Sequence, residues 1–304
     1  MKLNLGYLLP ILLILIGVQI SATLLSIPVA SMNVTAFGDP ESVSNPFIYL
    51  GLVIVMTAVI LLLFKYGGFR FKQFIKAFFI LTVWTTVLFV TQTIVLRLFG
   101  EADPLINTIA LIIPFIAAAL IWKYPEWYVI DTIGFVVCVG VTTIVGVSFG
   151  IYPIIILLVI FAIYDALAVY KTRHMITLAE GVLDQKLPAL FIIPKEKGFS
   201  YIESKPWKDL DNTKGRQAYI IGMGDIVFPS AMVVSASVFL TGTKILGVFT
   251  IPAIGAMFGS LLGLIALQEF AARYPQSHAG LPLLNSFTIV GFVIGYGITL
   301  IGGF

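Results

Sequence analysis

The sequence predicts an all-α membrane protein with nine transmembrane helices. Three observations carry this expectation. Of the 304 residues, 59% are hydrophobic and 11% charged, against about 25% charged in a soluble domain. A chain of this length cannot fold that much apolar surface away from water, and its mean hydropathy of +1.05 points to lipid as the solvent for most of it. Nine apolar runs each approach the roughly 20 residues that a spanning helix needs. Finally, the basic residues segregate to one side of the membrane that these runs define.

The runs cover residues 5–30, 46–66, 74–98, 104–123, 128–149, 152–171, 218–241, 245–268 and 281–303. The first follows a lone Lys2, as a signal peptide would. Its uncharged stretch exceeds the roughly 7–15 apolar residues of such a signal, so it is read as a retained helix. The runs are continuously apolar and lack the alternation of a barrel strand, which favours helices. The formal net charge of +3 is small and dispersed, and gives no reason to expect nucleic acid as a partner. The single Cys138 lies in an apolar run and can form no internal disulfide.

With the N-terminus inside, the inner segments hold Lys2, Lys65, Arg70, Lys72, Lys76, Lys123, a long loop over 172–217, and Arg273. Of the 18 basic residues only Arg97 and Lys244 fall outside, leaving 16 within. A wrong count of spans upstream would scramble this asymmetry. The expected layout is one polytopic domain over 1–304: helices one to six over 1–171, a cytoplasmic loop over 172–217, and helices seven to nine over 218–304, with the C-terminus outside. The loop is rich in mixed charge and proline, and Met175 to Leu183 could form a short surface helix at its start.

A charged side chain inside the bilayer is costly and reads as functional. Two acids lie well within the runs, Asp165 in the sixth and Asp225 in the seventh. Glu126 and Asp131, beside Trp127 at the inner end of the fifth, are accounted for by interfacial solvation. Glu101 and Asp103 fall in an outer loop, and Glu269 at an inner helix end. The sixth run heads inward, and Lys171 follows Asp165 by six residues, about 9 Å of helix. The seventh heads outward, and Arg216 precedes Asp225 by nine residues, about 13 Å at most. Antiparallel neighbours would therefore bring both carboxyl groups to a similar depth.

Two neighbouring carboxyl groups in a poorly solvated site cannot both ionise easily, so the pair shares a proton. One carboxylate can take a proton from an attacking water while its protonated partner donates to the carbonyl oxygen or leaving nitrogen. Neither metal nor cofactor is required. Gly222 and Gly224 remove side chains beside Asp225, which lets a helix, water or substrate backbone approach.

Tyr164-Asp165 and Gly222-Met223-Gly224-Asp225 resemble the YD and GxGD motifs of the intramembrane aspartyl proteases of the presenilin and signal peptide peptidase family. The phrases Tyr124-Pro125-Glu126-Trp127-Tyr128 and His174 to Gly181 look most like archaeal presenilin homologues, and the resemblance spans essentially the whole chain. It implies a presenilin-like fold, catalytic Asp165 and Asp225, a site shaped by Tyr164, Gly222 and Gly224, and cleavage of single-pass transmembrane substrates within the bilayer. The family's Pro-Ala-Leu motif at the start of the last helix corresponds to Pro282-Leu283-Leu284, and by resemblance these three border the site. Leu283 replaces the usual alanine, which puts substrate preference in question. The literal Pro188-Ala189-Leu190 in the loop is read as coincidence. Because a helical substrate must unwind before attack, either Leu190-Phe191-Ile192-Ile193 or Tyr219-Ile220-Ile221 is expected to pair with it as an added strand.

Other signals weigh less. Gly146-Val147-Ser148-Phe149-Gly150 matches G-x-S-x-G but lies at the outer end of a helix, far from His174 and His278. Those histidines lack metal-ligand spacing. Gly255, Gly259 and Gly263, with Gly291 and Gly295, form small-residue faces that suit helix packing or homo-oligomer contacts. The rival readings are a transporter or cation channel using the same acids, and a prepilin-peptidase-like enzyme.

Overall fold

The computed structural model describes residues 5–66, 69–100, 104–171, 178, 181–183, 185–196, 198–203, 218–273 and 278–302. Glu101, Asp103, His174, Trp207, Arg216, and Met175 to Thr177 of the expected surface helix lie outside the described residues.

The helices are α1 (Leu5–Ser31), α2 (Asn45–Tyr66), α3 (Phe69–Phe99), α4 (Pro104–Lys123), α5 (Trp127–Ser148), α6 (Ile151–Ala166), α7 (Met223–Phe239), α8 (Ile251–Arg273) and α9 (Leu281–Gly302). Among the described residues, eight are long and apolar enough to cross a membrane, and α7 is a shorter apolar helix of 17 residues. The nine-helix expectation therefore agrees with the structure. Among the described residues, four short strands accompany the helices: β1 (Leu190–Pro194), β2 (Ala218–Gly222), β3 (Lys244–Ile245) and β4 (Phe249–Thr250).

Two helix starts differ from the sequence reading. The seventh run opens with strand β2 instead of helix. Tyr219, Ile220 and Ile221 suit extended chain, and Gly222 and Gly224 weaken any helix that would include them. The helical rise used to place Asp225 below Arg216 thus does not apply over Ala218–Gly222. The eighth helix begins at Ile251, after the small β3–β4 hairpin.

The chain divides into two compact units. The first comprises Met1–Leu52, Val141–Thr172 and Gly224–Phe304. Its closest packing joins α8 to α9. A side-chain carbon at Gly259 would press on the Phe287 carbonyl and lie 3.2 Å from Gly291 Cα, and one at Gly263 would lie 3.2 Å from Leu284 Cα. The small-residue faces therefore meet each other, which lets the backbones approach where lipid gives no hydrophobic drive to association. Buried polar groups add directional ties. Gln19 Nε2 donates to Ser260 Oγ (2.7 Å), Thr143 Oγ1 to the Ala22 carbonyl (3.3 Å), and Asn285 Nδ2 to the Leu158 carbonyl (2.8 Å). Ser148 of the G-x-S-x-G match is fully buried and accepts the Ala36 N–H (2.7 Å), so its hydroxyl anchors a loop.

The second unit comprises Val53–Gly140 and Arg173–Met223. One apolar cluster joins α3, α4 and α5 through Val83, Val87, Ala117, Ile121, Val129 and Ile133. Another gathers Leu183, Ile192, Tyr201 and Ala218 around the fully buried Ile130. β1 and β2 pair antiparallel, with Leu190 opposite Gly222, Ile192 opposite Ile220 and Pro194 opposite Ala218. The two segments expected to compete for an added strand are therefore partners of each other.

Candidate active site

Asp165 lies in the last turn of α6 and is 6% exposed. Past Ala166 the helix widens into a π turn over Leu167–Lys171. π turns are rare and cluster at functional sites. Here the wider spiral brings Tyr170 round to the side of Asp165. Both meet the chain that enters α9: the Tyr170 hydroxyl accepts the Ala279 N–H (3.4 Å), and Asp165 Oδ2 accepts the Leu281 N–H (3.1 Å). The Gly280 N–H also lies close enough to the Asp165 carboxyl group to favour its charge.

Asp225 is in the first turn of α7, where free helix N–H groups suit a carboxylate. It is half-buried. A side-chain carbon on Gly280 would sit 3.0 Å from its Cγ and both carboxyl oxygens. Gly280 and Leu281 thus touch both acids. These contacts in series, across one residue of backbone, cap the separation of the two carboxyl groups at ~10 Å. The faces of α6 and α7 are joined next to the pair: Phe161, one turn before Asp165, and Phe228, three residues after Asp225, hold their ring centroids 4.3 Å apart.

Tyr164, Gly224, Pro282, Leu283 and Leu284 lie on the helices that carry or border the pair, and Gly222 lies on β2. Tyr164 is half-buried, its ring 6.2 Å from that of Phe161. Gly224 is exposed, and a side-chain carbon there would find only Phe228, at 3.7 Å. Gly222 ends β2 opposite Leu190. Pro282 and Leu283 are half-buried, whereas Leu284 is fully buried.

Sequence reasoning missed several neighbours. Gly280, Leu281, Ala279 and Tyr170 act mainly through backbone groups or a hydroxyl, and only their closeness to Pro282 or Asp165 signalled them. Pro188-Ala189-Leu190 is no bystander: the Ala189 carbonyl accepts the Met223 N–H (3.2 Å), extending the strand pairing one residue into the Gly222–Asp225 motif. Glu126 and Asp131 are not simply solvated. Glu126 is 7% exposed and accepts the Ser200 hydroxyl (2.6 Å) and the Tyr201 N–H (2.8 Å), while Asp131 accepts the Ile192 N–H (2.9 Å). Hydropathy places such acids at the interface, but two backbone N–H groups and a hydroxyl of the segment between the sixth and seventh helices supply their donors. Nearby, Lys186 Nζ donates to the Ile202 carbonyl; burial lowers the pKa of this ammonium, and the Glu126 carboxylate opposes that shift.

The family model described as signal-peptide peptidase, presenilin aspartyl protease matches residues 11–301. The chain belongs to this family. Two solved structures support the assignment. A presenilin family intramembrane aspartate protease in a C222 crystal form is 34% identical, with a TM-score of 0.70 over 96% of this chain and 99% of that one. A presenilin family intramembrane aspartate protease in a P2 form is 36% identical, with a TM-score of 0.68 over 96% of this chain and 98% of the other. No match was found among curated proteins. This presenilin-family chain is a multi-pass membrane protein and an intramembrane aspartyl protease, an aspartic endopeptidase acting in the bilayer.

Proposed function

We propose that Asp165 and Asp225 are the acid–base pair of this protease, sharing one proton and activating one water between them. The observation that carries this reading is the Gly280–Leu281 segment, which touches both carboxyl groups. A carboxylate without its proton takes one from water as the water attacks the scissile carbonyl carbon. The protonated partner donates to the carbonyl oxygen, giving a gem-diol; the proton taken from water then passes to the nitrogen as the C–N bond breaks, and a diol hydroxyl returns a proton to the partner. The Leu281 N–H on Asp165 fixes the orientation of one carboxyl group relative to the other. Tyr164, Gly222, Gly224, Pro282 and Leu283 border the scissile bond, and Leu284 seats the Pro-Leu-Leu turn in the helix packing.

The substrates in this reading are single-pass transmembrane segments that unwind before cleavage. Asp131 accepts the Ile192 N–H, so Ile192 faces away from β2, and Ile192–Ile220 is a non-hydrogen-bonded pair of the ladder. Ile220 and Gly222 accordingly present their backbone groups on the far side of β2, where no described strand pairs. That edge suits an added strand. β2 passes without a loop into α7, so a strand paired there leads along the chain to Asp225.

The same reading treats the chain as one protease domain, with the N-terminus and the 172–217 loop cytoplasmic and the C-terminus outside, as the distribution of basic residues supports. Homo-oligomer contacts would fall to lipid-facing surfaces, since Gly255, Gly259 and Gly263 are already used within the chain.

The test is purified protein in detergent with a model single-pass substrate, comparing wild type with Asp165→Ala and Asp225→Ala by mass spectrometry of products. Loss of all products in both folded variants is the expected result. Undiminished products from either would reject the pair.

A further inference from the structure

The start of α5 holds the inter-helical segment at three places. Ile130 and Trp127 pack under the sheet in the cluster with Leu190, Ile192 and Ile220. Glu126 accepts Ser200 and Tyr201 just beyond β1. Asp131, one turn after Trp127, takes the Ile192 N–H in the middle of β1. An unpaired strand N–H is a ready partner for another chain, and a charged side chain on it closes that edge. A two-stranded sheet has two outer edges. Asp131 occupies one of them at its centre.

We propose that Asp131 is a positioning residue that makes β2 the sole receiving edge of this sheet and holds its register. The inference rests on the substrate-strand reading above. Ile192 lies opposite Ile220, and the ladder continues through the Met223 N–H to the Ala189 carbonyl. Met223 is two residues from Asp225. A strand free to slide, or open on both edges, would present the scissile bond in more than one place. With β1 closed by a carboxylate, one edge and one register remain. Asp131 acts through β1, by way of the Ile192 N–H, and not on the reacting atoms.

The experiment compares wild type, Asp131→Asn and Asp131→Ala, with Asp225→Ala as the inactive control, on a single-pass substrate. Its readouts are product masses, kcat and KM, and deuterium uptake by the peptide bearing Ile192 in substrate-free protein. Asp131→Asn keeps an acceptor oxygen, so it retains the wild-type cleavage position and amide protection. Asp131→Ala spreads cleavage over neighbouring bonds, lowers kcat about tenfold through misplacement, and speeds exchange at Ile192. A single wild-type product set at wild-type kcat from Asp131→Ala would overturn the proposal, as would an Asn variant as defective as Ala. If Asp131→Ala does not fold, Ile192→Pro deletes the same bond from the donor side, where the ladder does not use that N–H. It should spread cleavage likewise, and unchanged cleavage overturns the proposal. If wild type yields no Asp225-dependent product, the protease assignment fails separately. Exchange at Ile192 then decides the positioning role alone: faster in Ala and protected in Asn upholds it, and equal rates reject it.

Discussion

Gly280 stands against the Asp225 carboxyl group so closely that a single added carbon would lie 3.0 Å from three of its atoms. Its φ is not in the left-handed region, so the backbone would accept alanine. The obstacle to a side chain is Asp225 itself. Gly280→Ala is expected to displace that carboxyl group by a few tenths of an ångström or more. We expect kcat to fall by about 10- to 100-fold with thermal unfolding little changed, measured by product release and differential scanning in the same detergent.

The acids themselves admit a sharper test than truncation. Asp165→Asn and Asp225→Asn keep the shape and, at Asp165, an acceptor for the Leu281 N–H. Neither can exchange a proton at physiological pH. Each is expected to lower kcat by about 10²–10⁴-fold without loss of folded protein. Residual activity near wild type in either would remove that residue from the chemistry.

Two prolines one residue apart separate strand addition from strand pairing. Ile220→Pro deletes an N–H on the open side of β2, whereas Tyr219→Pro deletes one used toward β1. The first should leave stability near wild type and raise KM or abolish cleavage. The second should also lower the unfolding temperature, because a ladder bond is lost. Cleavage by Ile220→Pro at the wild-type rate would exclude β2 as the substrate's partner.

The α8–α9 contact carries the entry of α9 to the acids. Gly259→Leu would force a side chain against the Phe287 carbonyl and Gly291 Cα. Overpacking of this kind costs about 1–3 kcal/mol. Lower thermal stability is expected together with reduced turnover, since Gly280 and Leu281 move with α9. A conservative change at an exposed position of the same helix, Leu262→Ile, is the control and should change neither.

Much of this protein is legible in its residue order. The spans and the two acids within them follow from hydropathy and charge, because the bilayer excludes charge and demands helices. The small-residue faces of α8 and α9 could be read too, since only residues without bulk permit such an approach. The start of α7 could not be placed from hydropathy, because Tyr219-Ile220-Ile221 is as apolar in a strand as in a helix.

Tertiary structure alone decided what holds the acids and the sheet. The Leu281 N–H reaches Asp165 across 116 positions, and the Ile192 N–H reaches Asp131 across 61. Both donors are main-chain groups that nearly every residue carries. Side-chain identity marks where charge and bulk must go in a membrane, but it does not say which backbone amide a distant carboxyl group will meet. Only the folded path of the chain brings those two together.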